Sequence, residues 1–468
     1  MNRAQLIIKN ALYYTAGTFE QGDIIIIDGQ IATITTLVGY SGNFTAERVI
    51  DARGYTVLPG LIDSHVHFRE PGHTEREDFF SGSCAAAAGG FTAYRVMPNV
   101  IPPPFDPLHL NDCVILAEQK SVVDFMMLAA AGYDNKQQFF GLIKAGAVGF
   151  KTFLQPAPAG KEQEFTGLIA ADDGELYLLL QAGAESGGRF YFHAENYQLI
   201  KALEKYLHAT GQEDNSFHYK SHAAIAEVES VATVLNFAKA TGCKVGFVHI
   251  TLPESCKLIK QAREQGIDVV TETCFHYLLF DDSYIDRFGP YAKCNPPLRN
   301  REASEGLWPY LFDGTIDMVG SDHAPFMASE KVIGPSKGIW QAPSGIPAIE
   351  VMLPLMLEQV AQGRLKLSDI VRLFSENTAK VHGIFPRKGC ISVGSDGDFT
   401  IIDSNSRQKL SKEKMYTKAR DINLMFDGME TTGKPVYTIV RGRVVMDHGQ
   451  VDKNARGWGK YLRPDIIS

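Results

Sequence analysis

The chain has 468 residues, 45% of them hydrophobic and 21% charged, a soluble globular composition with room for one large domain and an accessory one. Its net charge of -8 argues against non-specific nucleic-acid binding, and no apolar run reaches membrane-spanning length. Seven cysteines without a Cys-x-x-Cys pair, and an N-terminus that soon meets Lys9 and Asn10, point to reduced thiols and a cytoplasmic chain rather than a secreted one.

Residues 1–55 carry short β-like runs at 6–14, 23–27 and 30–36, broken by Gly17, Gly22 and Gly29. Asp28-Gly29, between two β-branched runs, predicts a tight hairpin, because both residues tolerate positive φ. Asn43-Phe44-Thr45 matches a glycosylation sequon that no secretion signal supports. From Thr56 the pattern becomes strand, then helix, repeated. Strands are predicted at 57–68, 91–97, 124–130, 149–154, 190–195, 244–251, 268–274 and 317–323, with helices including 76–88, 108–119, 223–240, 253–264 and 302–312. Such alternation predicts a (β/α)8 TIM-like barrel over residues 56–383. The Gly/Pro-rich stretches 155–172 and 327–343 are expected to cover its mouth. Segments 346–362 and 367–383 read as closing helices. After Gly383 the β character returns, with a hairpin-like pair about Arg441-Gly442. The expected architecture is α/β: a barrel, with residues 1–55 and 384–468 forming one small β-sandwich domain from both termini.

In such barrels the chemistry sits at the C-terminal strand ends. His65 and His67 stand at the first, on one side of the strand by its period of two. Lys151 follows at the fourth, His193 at the fifth, His249 at the sixth and Asp322 at the eighth. Singly, each has an ordinary reading: a hydrogen-bonded histidine, a solvated lysine, a helix-capping aspartate. Together at matching ends they suit a pair of divalent cations. Two such ions about 3.5–4 Å apart share a water and lower its pKa. A lysine buried beside them loses its charge and, as a free amine, can add carbon dioxide to become an anionic carbamate bridge. His65, His67 and Asp322 are then expected to hold one ion and His193 and His249 the other, with the carbamate on Lys151 between. Asp322 also suits the proton shuttle from water to leaving nitrogen. Nitrogen and oxygen ligands favour zinc.

Pro59-Gly60-Leu61-Ile62-Asp63-Ser64-His65-Val66-His67, Gly149-Phe150-Lys151, Phe192-His193-Ala194-Glu195-Asn196, Val248-His249-Ile250 and Ser321-Asp322-His323-Ala324-Pro325 resemble the ligand motifs of the cyclic amidohydrolases: dihydroorotases, allantoinases and hydantoinases. The resemblance spans nearly the whole chain. It implies a zinc-dependent hydrolase of a small cyclic amide and a homodimer or homotetramer. His67-Phe68-Arg69-Glu70-Pro71-Gly72, Met97-Pro98-Asn99 and Asn295-Pro296-Pro297-Leu298-Arg299 are most similar to dihydroorotases. That implies interconversion of dihydroorotate and N-carbamoyl-aspartate in pyrimidine biosynthesis, with Arg69, Asn99 and Asn295 binding substrate. Phe326 departs from the dihydroorotase pattern, which has a carboxylate-binding histidine there. The 223–242 and 271–277 stretches are similar to allantoinases, which makes allantoin the second substrate. Hydantoinases rank third, because 153–156 lacks their substrate-binding tyrosine. Two bland alternatives stand beside these: Arg69 as a structural salt bridge to Glu70 or Asp78, and a non-catalytic scaffold, which retention of all the ligand positions disfavours.

Overall fold

In the computed structural model, which describes residues 2–36, 44–211, 214–331 and 338–464, a parallel barrel occupies the middle of the chain. Its strands are Leu61–Val66, Phe91–Val96, Asp124–Met127 continued by Ala129–Ala130, Phe150–Phe153, Arg189–His193, Lys244–Phe247, Val269–Cys274 and Met318–Gly320. Successive strands pair in parallel. The ring closes where Val66 bridges His323 and the His67 N–H donates to the His323 carbonyl at 2.8 Å. Inward-facing Ile62, Ala93, Met126, Leu128, Tyr191, Val248 and Val270 pack together as the barrel's filling. Helices cover the outside, so the strands are buried on both faces and read as apolar runs. The predicted helices appear as Phe79–Ala88, Pro107–Lys120, Ala224–Thr241, Pro253–Glu264 and Arg301–Phe312. Among the described residues no helix is long and apolar enough to cross a membrane.

One predicted element divides. The 57–68 run is two strands, Thr56–Pro59 and Leu61–Val66, broken at Gly60. Thr56–Pro59 leaves the barrel and pairs with Asn2–Thr15 on one side and Phe399–Lys409 on the other, so the terminal sheet takes in four residues that the sequence reading gave to the barrel. A Cβ at position 60 would lie 2.3 Å from Thr92 Oγ1 and 2.8 Å from Asp398 Cβ; only glycine lets the chain pass between the two sheets. The closing helix expected over 367–383 forms as one unbroken helical run from Leu367 to Val381, widened to a π-turn over Arg372–Glu376.

The terminal sheet draws on both ends of the chain, with the order Gln450–Val451, Arg443–Asp447, Glu430–Val440, Phe399–Lys409, Thr56–Pro59, Asn2–Thr15, Thr18–Ile27, Gln30–Thr35, and Phe44–Asp51 added beside Asn2–Thr15. It folds into a sandwich around Leu6, Ile24, Ile26, Val57, Phe399, Ile401 and Ile439. The expected hairpins form: Asp28-Gly29 turns with φ of 49° and 81°, and Arg441-Gly442 with 46° and 72°. Left-handed pairs of this kind match the twist of the flanking strands. Asn43 of the sequon and residues 332–337 of the mouth segment lie outside the described residues.

Sheet and barrel are riveted by charge. Lys388 Nζ sits 2.5 Å from Asp124 Oδ2 on the third barrel strand, 2.9 Å from Asp396 and 2.5 Å from Asp398. Arg441 also pairs with Asp124. Burial pulls the Lys388 ammonium down, but the three carboxylates outweigh it and hold the group above its ordinary range. Removing one member of a buried ionic set strands the others without counter-charge. Lys388→Met is therefore expected to destabilise the protein by about 3–5 kcal/mol, read as a lower denaturant midpoint with the wild-type far-ultraviolet dichroism retained before the transition.

Candidate active site

The six ligand-type side chains chosen from sequence, His65, His67, Lys151, His193, His249 and Asp322, line one cavity of about 240 Å³ at the C-terminal ends of the strands. Arg69, Asn99 and Asn295 stand on the same wall. Asp322 Oδ1 lies 3.2 Å from His65 Nε2 and 3.1 Å from His67 Nε2. One nitrogen from each histidine and this oxygen fall within 4.8 Å of one another, close enough to hold one ion. Beside them His193 Nδ1 meets His249 Nε2 at 3.1 Å, and the His65 and His249 rings are 5.4 Å apart. Lys151 Nζ is buried between these pairs with no hydrogen-bond partner among the described residues. His249 and Asp322 both adopt φ of 45°. Non-glycine residues in this region carry strain of order 1–3 kcal/mol, and here the strained turns fall on two of the six.

Acceptors behind the histidines fix which nitrogen faces the cavity. His65 Nδ1–H donates to Glu272 Oε1 at 2.7 Å and His67 Nδ1–H to Asn99 Oδ1 at 2.7 Å. His193 Nε2–H donates to Glu195 Oε2 at 2.8 Å, and His222 Nδ1–H to the other Glu195 oxygen at 2.9 Å. The inward nitrogens are left with lone pairs, the arrangement a metal ligand needs. Asn99, expected to bind substrate, spends its carbonyl oxygen on His67.

Electrostatics follow from burial. Burial pushes the Lys151 amine down to about 7, against the pull of Asp322 and Glu272. It pushes His67 down to about 4 and His249 well below the usual imidazole range. Burial would raise Asp322, but His65 and His67 outweigh it and hold the carboxyl below the usual carboxylate range. Imidazole nitrogens, an amine partly deprotonated near pH 7 with no hydrogen-bond partner among the described residues, and one carboxylate make a donor set that fits divalent cations. The other acidic cluster, Asp124 with Asp396 and Asp398, is already occupied by Lys388, with Arg441 on Asp124.

Across the cavity the wall is mixed. Arg69 donates from Nε to the Pro325 carbonyl at 3.4 Å, lies 4.8 Å over the Phe326 ring, and has Nη1 4.0 Å from Glu164 Oε1. Burial pushes Arg69 down to about 10. The bland reading of this residue fails, because Glu70 pairs with Lys120 and Asp78 caps a helix and pairs with Lys418. Gln155, Lys161, Glu164 and Phe165 reach the cavity from the 155–172 loop, and Pro343, Ser344 and Gly345 from the other mouth segment. Ser344 Oγ donates to Asn295 Oδ1 at 2.9 Å.

A family model described as "Amidohydrolase family" matches residues 56–445. The chain belongs to the amidohydrolase family. Among its relatives it is 34% identical to an L-hydantoinase of Paenarthrobacter aurescens over 98% of this chain and 97% of that one. It is 37% identical to a dihydroorotase of Methanothermobacter thermautotrophicus over 94% of each. It is 34% identical to an allantoinase of Rubrobacter xylanophilus over 99% of this chain and 98% of the other. Among solved structures, an L-hydantoinase (dihydropyrimidinase) from Arthrobacter aurescens superposes with a TM-score of 0.91 at 34% identity, covering 98% of this chain and 100% of that one. The chain is thus an enzyme that hydrolyses cyclic amides, on a TIM-barrel amidohydrolase fold.

Amidohydrolases generally carry a binuclear metal centre, and the residues the sequence reading did not single out are the ones that buttress it. Glu195 and Glu272 lay inside stretches noted for resemblance; Glu272 is a carboxylate on a strand buried on both faces and Glu195 one just past the end of such a strand, where a buried charge calls for a partner. His222 and Glu164 gave no local sign. Weakening a buttress of this type costs about 10–100-fold in metal affinity. Glu195→Gln is expected to lose metal by that factor while His193 itself remains, measured as metal retained after dialysis against graded chelator.

Proposed function

We propose that the protein is a zinc-dependent amidohydrolase that opens the ring of a neutral ureide of allantoin type. In this reading His65, His67 and Asp322 would hold one zinc ion and His193 and His249 the second, and a carbamate on Lys151 would supply anionic oxygens to the centre. The cations, when bound, would polarise the scissile carbonyl and make water more acidic. The chain supplies the rest. Lys151, deprotonated in about half of the molecules near pH 7, adds carbon dioxide as the free amine: an N–C bond forms, one proton goes to solvent, and an anion with two oxygens results. Asp322, kept as a carboxylate, takes a proton from the attacking water and returns it to the ring nitrogen that leaves. Phe153, Phe165 and Phe326 wall the cavity with rings and limit competing water.

The choice of substrate is carried by Glu164, a buried carboxylate 4.0 Å from Arg69. A ureido group has N–H donors for Glu164 and a carbonyl to accept from Arg69, so it satisfies both. A substrate carboxylate at Arg69 would face a like charge, at a cost of several kcal/mol, and Phe326 offers no donor to offset it. Dihydroorotate is the second reading, supported by Arg69, Asn99 and Asn295 on one wall and by the dihydroorotase relative.

Assays of the purified protein on allantoin, hydantoin and dihydroorotate separate these readings. Allantoin is expected to give the highest kcat/KM, and turnover of dihydroorotate alone would reverse the assignment. Glu164→Gln should cost allantoin about 10–100-fold in kcat/KM, the worth of a hydrogen bond to a charged acceptor, chiefly through KM. Lys151→Ala is expected to abolish activity, with partial rescue by short carboxylic acids. Full activity in that variant would exclude the carbamate role.

A further inference from the structure

An arginine lies in the barrel core beneath the cavity. Arg95, on the second strand, has no exposed surface. Ala93 and Met97, two residues to either side, belong to the apolar filling, and by the strand's period Arg95 points inward with them. Its guanidinium meets three groups. Nη2 donates to Glu272 Oε2 at 2.9 Å, and Nη1 donates to His382 Nε2 at 2.8 Å. The Tyr191 ring lies 4.4 Å from its central carbon. His382 donates from Nδ1 to the Thr378 carbonyl at 2.7 Å, which leaves its Nε2 lone pair to receive Arg95. The other oxygen of Glu272 receives His65 Nδ1–H. A continuous line of hydrogen bonds therefore runs from Thr378, on the barrel floor, through His382, Arg95 and Glu272 to His65 in the cavity.

This line has a physical purpose. Burying a guanidinium is costly, the more so here because Arg95 Nε has no hydrogen-bond partner among the described residues, and an aliphatic side chain would fill the same interior without that cost. Glu272 is as deeply buried as Arg95 and needs a full counter-charge. His65 cannot supply one, since an imidazole that ligates a cation does so as the neutral ring. Arg95 provides the charge, and its planar fork fixes the plane of the carboxylate. His382 and Tyr191 in turn fix the plane of the guanidinium. We propose that Arg95, held by His382, is a positioning residue for the metal centre: it aims Glu272, and through it the Nε2 atom of His65. The inference rests on reading His65 as a metal ligand.

The test is metal release from the full-length protein loaded with zinc, followed with a colorimetric chelator, and the visible spectrum of the cobalt(II)-loaded form. Arg95→Met is expected to release metal about 10–100-fold faster with shifted cobalt bands. Arg95→Lys should recover part of that loss, and His382→Phe, which leaves Arg95 and Glu272 in contact, should release metal several-fold faster. Wild-type release and an unshifted spectrum in Arg95→Met would overturn the proposal. If Arg95→Met does not fold, His382→Phe decides alone, and wild-type release there overturns it equally. His65→Ala separates the two levels: undiminished metal in that variant defeats the ligand reading itself, whereas metal lost in His65→Ala but retained in Arg95→Met and His382→Phe defeats only the role of Arg95.

Discussion

The site depends on a seam. His65 lies on the first barrel strand, His67 just past its end, and Asp322 follows the eighth; they meet only because the barrel closes between those strands. Asp63 holds the closure. Its Oδ1 accepts the backbone N–H of His65 and of Ser321, each at 3.0 Å. Burial pushes this carboxyl up to about 7, so the seam is fastened by an acid at the limit of what the interior lets it carry as charge. The His67-to-His323 backbone bond lies just above it. Without this stitch, the first histidine pair would have no carboxylate opposite.

Around the seam, charge is arranged in layers. Among the groups facing the cavity, burial keeps the His67 and His249 rings unprotonated, so their lone pairs are free for a cation. The compensating negative charge stands one step back, on Glu272 behind His65 and Glu195 behind His193. Each of these acids is tied further out, to Arg95 and to His222.

Much of this was legible in the sequence, for a definable reason. Strand ends of a parallel barrel are marked by the switch from apolar to polar, and His65, His67, Lys151, His193, His249 and Asp322 all sit at such switches. The hairpins at Asp28-Gly29 and Arg441-Gly442 were legible because a left-handed pair demands those residue types. Gly60 was not, because its necessity comes from Thr92 and Asp398, distant in the chain. Glu164 was hidden in a loop without periodicity, and its meaning depends on Arg69 lying opposite. Phe326 was visible as a departure, but only the geometry shows that its ring supports the guanidinium of Arg69.

The sheet built from both ends of the chain has a consequence for synthesis. Asn2–Thr15 and Thr56–Pro59 emerge from the ribosome early, yet Phe399–Lys409, the neighbour of Thr56–Pro59, is made only after the whole barrel. Until then one margin of the nascent sheet offers unpaired backbone groups to any passing strand. Such distant pairing is slow to form, and a chain stalled before residue 399 would be left with an adhesive border.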